Sequence, residues 1–124
     1  MEQVFVLHLG REPALLETRS QILKNAGYSV IPASSVEAGL RTLRLFGFDV
    51  VLICHSVFAA DRERFIRSVR KHNPLTPLVL VSDAPVGSLE GCDVTIENDP
   101  QTLVRKLPLV LQMRRGRVHR MNPS

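Results

Sequence analysis

Residues 49–58 read DVVLICHSVF. After Asp49 the run Val50, Val51, Leu52, Ile53, Cys54 is apolar with no polar alternation. A strand of that kind is buried on both faces, as in a parallel sheet, because alternation marks a sheet with one wet face. The run stops at Cys54 and His55. In open α/β sheets, chemistry gathers at the carboxyl ends of strands, so these two residues carry the functional question.

The flanking segments alternate between strand and helix signals. VFVLHL (4–9) reads as a strand, rich in β-branched and aromatic residues. The following helix opens with Pro13 in its first turn, carries a stripe of Leu15, Leu16, Ile22, Leu23 and Ala26, and stops at Gly27. YSVIPA (28–33) is a second strand. Ser34 with Glu37 three residues on forms a capping-box pattern. The helix it opens turns Val36, Leu40, Leu43 and Leu45/Phe46 inward and ends near Gly47.

Beyond DVVLIC, residues 60–72 predict a helix with Phe65, Ile66 and Val69 inward and arginines 62, 64, 67 and 70 on a solvated face. Asn73-Pro74 ends it. PLVLVS (77–82) is a fourth strand. DAPVGSLEGC (83–92) holds at most one helical turn, and VTI (94–96) is a short fifth strand. Asp99 caps a last helix with Pro100 at its first position. Leu103, Leu107, Val110 and Leu111 face inward there, and Pro108 predicts a kink or break. Such alternation argues for an α/β fold, a doubly wound, flavodoxin-like five-stranded parallel sheet of order 2-1-3-4-5, with the fourth helix short or absent.

A chain of 124 residues with 44% hydrophobic and 23% charged residues is one domain able to bury a core without disulfides or metal. Two cysteines make no disulfide framework, and no stretch is apolar enough to span a bilayer. With no signal-peptide pattern at the start, the expected location is the cytoplasm. The net charge of +4 is uneven: residues 105–124 hold six Lys/Arg and no acid. The expected division is a body over 1–112 and a basic, disordered tail over 113–124 containing Arg114, Arg115, Arg117 and Arg120. That tail is a solvated end or linker, or a contact for nucleic acid or an acidic membrane surface.

EPALLETRSQILKNAGYSV, VEAGLRTLRLFGFDVVLI, PLVLVS and NDPQTLVRKL, in this order and spacing, resemble the receiver (CheY-like) domain of bacterial two-component response regulators over residues 3–112. The resemblance implies a phosphorelay module in which an aspartate ending the third strand accepts a phosphoryl group. An acidic pair after the first strand would hold Mg²⁺, a hydroxyl would end the fourth strand, and a lysine the fifth.

At those positions this sequence has Cys54 for the acceptor, Gly10 and Arg11, with Glu12 beside them, for the acidic pair, and Glu97, or Ile96, for the lysine. Ser82 keeps the hydroxyl. Val94 replaces the family's aromatic switch residue, and His55 follows the acceptor position. The pattern is that of a degenerate pseudo-receiver, since nothing neutralises a developing phosphoryl charge.

Cys54 is then either a reactive thiol or a small hydrophobe filling an emptied acidic pocket. His8, Cys54, His55 and Cys92 lack the repeated close spacing of a metal site, and His8 is expected in the core or at its rim, bonded to backbone. Neither a phosphate loop nor a hydrolytic triad is spelled out. The resulting expectation is a non-enzymatic signalling module with no cofactor, no metal and no membrane partner. It would work by contact with a protein partner or a second copy through the face around Val86, Leu89 and Val94. A nucleic-acid-associated regulator using the basic tail is the alternative.

Overall fold

The computed structural model describes residues 3–83 and 91–121, with side chains through Met113. Five parallel strands, β1 (Phe5–Leu9), β2 (Ser29–Ala33), β3 (Val50–Cys54), β4 (Leu78–Ser82) and β5 (Val94–Glu97), pair in the order β2-β1-β3-β4-β5. The helices are α1 (Pro13–Asn25), α2 (Val36–Leu45), α3 (Ala59–His72) and α4 (Pro100–Met121). This is the expected doubly wound sheet. The expected shortening of the fourth helix falls on residues 84–90, outside the described residues, as do Val86 and Leu89.

The sheet buries both faces, as the unbroken apolar run of β3 requires. Leu7, Leu9, Val51, Ile53 and Leu78 pack under α2 and α3 with Phe65, Ile66 and Val69. Val6, Leu52, Val79, Val81 and Ile96 pack under α1 and α4 with Leu23, Leu103, Leu107 and Val110. Gly39 lets α2 approach α3, since a Cβ there would lie 2.8 Å from the Phe65 ring.

Several local expectations change. The cap of α2 is Ser35, not Ser34: its hydroxyl accepts from the Ala38 amide at 3.1 Å. Leu45 and Phe46 do not face inward, because α2 ends at Leu45 and the chain turns out before the buried Phe48. In α1, Leu15 and Ile22 are half-buried and Ala26 is exposed, while Arg19 and Ser20 take the buried stripe with Leu16 and Leu23. Pro108 does not end α4, which continues helically to Met121. Proline forfeits one amide bond, and here the ring sits on the exposed side while Leu107 and Val110 stay anchored. Asp99 caps α4 as expected, accepting from the Thr102 amide at 3.0 Å.

Candidate functional site

The carboxyl edge of the sheet gathers the predicted positions. The Gly10 amide donates to the Ala33 carbonyl at 3.0 Å, tying the β1–α1 turn to the end of β2. A Cβ on Gly10 would lie 3.3 Å from the Leu16 Cδ1 and 3.4 Å from the Cys54 Cβ, so this turn passes in contact with the end of β3. Cys54 is buried, and its Sγ accepts from the Ser56 hydroxyl at 3.2 Å. The same Ser56 oxygen accepts from the Arg11 amide at 3.4 Å.

Arg11 sends its guanidinium over the Phe58 ring, 3.9 Å from the centroid, a cation–π contact beside the start of α3. A shallow cleft follows, lined by Gly10, Arg11, Ser35, Phe58 and Asp61. Glu12 is exposed at the start of α1. Ser82 is buried opposite Glu97 in the β4–β5 register, and Glu97 is exposed. Ile96, the other position weighed for the family's lysine, is wholly buried in the core. Val94 lies half-buried at the start of β5.

The feature that the sequence reading missed lies beside these positions. Arg19 is only 5% exposed, an unusual place for a guanidinium. Its Nη1 lies 3.1 Å from His8 Nε2, and its Nη2 donates to Asn98 Oδ1. Asn98 Nδ2 in turn donates to Asp83 Oδ1 at 2.6 Å, and Asp83 Oδ2 lies 2.9 Å from His55 Nε2. Five side chains thus form one polar chain from β1 and α1, through the β5–α4 turn, to the ends of β4 and β3.

His8 is wholly buried, and burial together with the Arg19 charge lowers its pKa to about 3. The ring is therefore neutral near pH 7. Arginine has only donors, so Nε2 accepts and the ring proton sits on Nδ1. The expectation that His8 bonds to backbone is corrected: its partner is the Arg19 side chain.

A charged residue at position 19 falls between Leu16 and Leu23, three and four residues away, on the stripe that faces the sheet. That spacing was the available signal for Arg19. Asn98, in a turn, offered none.

The arginines of α3 also divide. Arg67 is exposed as expected, but Arg64 pairs with Glu37 at 2.6 Å, and Arg70 is committed to Asp93 at 2.9 Å and the Gly91 carbonyl at 2.8 Å. Arg64 and Glu37 are both exposed, so that pair lies on the solvated face read from the sequence, whereas Arg70 is drawn in against the Asp93 carboxylate. Among the described residues, no group of three His, Cys, Asp or Glu side chains gathers as a metal ion would require.

Solved structures that superpose on this chain include response regulator receiver domains. One, from Methanospirillum hungatei JF-1, superposes with a TM-score of 0.81 at 21% identity, covering 94% of this chain and 99% of that one. The chemotaxis response regulator CheY4 of Vibrio cholerae gives 0.78 at 20% identity, over 88% and 99%. The N-terminal domain of a response regulator/sensory box/GGDEF protein from Carboxydothermus hydrogenoformans gives 0.80 at 17% identity, over 93% and 99%. Neither a family model nor a curated protein sequence matches the chain. The chain has the CheY-like flavodoxin fold that these receiver domains share. No helix among the described residues is long and apolar enough to cross a membrane.

Proposed function

We propose that this chain is a receiver-like signal-transduction module that acts by protein–protein contact, without an aspartyl-phosphate cycle and without a cofactor. The observation that carries this reading is the content of the carboxyl edge. At the acceptor position stands Cys54, buried under Ser56 and Gly10. Phosphoryl transfer relies almost wholly on positioning and on neutralising charge with metal and cations. Here the cations are spent otherwise: Arg11 lies over Phe58, and Arg19 is bound within the polar chain. The fifth-strand position offers Glu97, whose charge has the wrong sign to pair with a phosphoryl group.

In this reading the Arg19–Asn98–Asp83–His55 chain does by fixed hydrogen bonds what a phosphoryl group does conditionally: it ties the ends of β3, β4 and β5 together. The partner surface is the face of β4, β5 and α4. Leu109 and Met113, one turn apart on α4, are exposed large apolar residues there, and Val94 lies half-buried at its edge. A protein partner, or a second copy meeting the same face across a two-fold axis, would cover them.

Incubation with acetyl phosphate and Mg²⁺, read by intact mass, tests the chemical half. No added phosphoryl group is expected, and an EDTA-sensitive gain of one phosphoryl group refutes it. Leu109→Glu with Met113→Glu tests the contact half: partner capture or self-association should fall while circular dichroism stays native.

A further inference from the structure

The opposite edge of the sheet carries a separate surface. In a parallel α/β sheet the helices run back against the strands, so α1, α2 and α3 all end at the amino edge. Arg64 and Glu37 join α2 and α3 side by side. Counting equally far along both helices from that pair brings Arg44 level with Lys71, and Leu45 level with His72. Leu45 is 74% exposed and Phe46 54%. Phe5, on the same face of the sheet as Leu7 and Leu9, is 42% exposed at the start of β1.

Exposed cations stand at the same edge, Arg44 at the end of α2 and Lys71 at the end of α3, with Arg67 one turn further up α3 and Lys24 across the sheet at the end of α1. None of the four forms an ion pair among the described residues. Among the described residues, Asp49 accepts from the Phe5 amide at 2.8 Å, and Asp93 holds Arg70 and the Leu78 amide. Helix α4 runs toward the same pole, and the six Lys/Arg beyond Val104 lie along it.

We propose that this pole is a peripheral docking surface for anionic lipid bilayers, with Leu45 and Phe46 entering the interface and Arg44 and Lys71 facing the headgroups. The proposal is independent of the receiver reading, which concerns the other edge. A bilayer fits because exposed aliphatic and aromatic groups gain from an apolar phase while the cations at this edge gain from its negative surface. A second copy does not fit, because like charges would be brought together. Nucleic acid fits less well: its phosphates meet the cations as lipid headgroups do, but it offers no apolar phase for Leu45 and Phe46.

Co-sedimentation of the full chain with phosphatidylcholine vesicles, with and without phosphatidylserine, tests the proposal. Binding should require phosphatidylserine and weaken with salt. Leu45→Ser with Phe46→Ser should lower the partition coefficient about tenfold or more, and Arg44→Gln with Lys71→Gln by a similar factor of about tenfold or more, with native circular dichroism in each.

The sequence contains no tryptophan, so Leu45→Trp supplies a single reporter whose emission should shift to the blue on phosphatidylserine vesicles. Absence of vesicle binding at low salt overturns the proposal. So does binding that both double variants leave unchanged, which would assign it to the basic end of α4, or an unshifted indole emission from the Leu45→Trp variant on bound vesicles. Retention on an oligonucleotide without vesicle binding would replace the bilayer with nucleic acid.

Discussion

The two edges of the sheet solve opposite problems with the same residue types. At the carboxyl edge a cation is buried: Arg19 sits under α1 with neutral His8 and Asn98 as its hydrogen-bond partners. At the amino edge, cations such as Arg44 and Lys71 remain in water, and the Asp93 carboxylate, its side chain 7% exposed, is paired with Arg70. Helix direction explains part of this contrast. Cations at helix C-termini meet the negative end of the macrodipole and need no further partner. A cation inside α1, facing the sheet, must instead find acceptors, because a buried guanidinium without them is costly. The carboxyl edge is therefore the rigidly specified one, and the amino edge is free to vary its surface.

That contrast predicts unequal sensitivity to substitution. Arg19→Ala should be the most damaging of the changes considered, costing about 3 kcal/mol in urea unfolding, because it leaves a cavity and unpaired acceptors on His8 and Asn98. A cost under about 0.5 kcal/mol would mean that the polar chain does not hold the edge together. Asp93→Ala should cost about 2 kcal/mol, since it leaves Arg70 and the Leu78 amide without their shared acceptor. Lys71→Ala should stay within about 0.5 kcal/mol of the parent.

Acid sharpens the comparison further. The folded-state pKa of His8 is lowered from 6.5 to about 3. Between those values the unfolded chain binds a proton that the folded chain refuses, so stability rises with pH in this window. The His8 contribution is complete above pH 6.5 and is lost progressively as pH falls toward 3. Its slope is at most one proton, about 1.4 kcal/mol per pH unit. In His8→Phe that part of the slope should vanish, whatever the variant's absolute stability. The same titration in Lys71→Ala should retain it.

How much of this was legible in the sequence differs by level. The alternation of elements and the core followed from local patterns, such as the unbroken apolar run of DVVLIC and the helix start at Asp99-Pro100, and the sheet order from the flavodoxin-like arrangement that such alternation fits. Gly10, Cys54, Ser82 and Glu97 were placed at the ends of their strands by counting along the resemblance, and there they lie. Helix ends were less legible. Ser34 and Ser35 are chemically equal caps, and the choice between them depends on where β2 releases the chain. Leu45 and Phe46 matched the inward period of α2, yet the helix stops there, and an apolar residue beyond the last turn has no fixed face.

By itself, then, the sequence determined the alternation of strands and helices and their common core, because each depends on the period or identity of nearby residues. The tertiary structure alone decided that Arg19 reaches Asn98, seventy-nine residues away, and that Asn98 and Asp83 carry the chain on to His55. The same holds for the exposure of Leu45, Phe46 and Phe5 at the amino edge. Such contacts join residues that no sequence period relates, and only the pairing of β1, β3, β4 and β5 brings their ends to one edge.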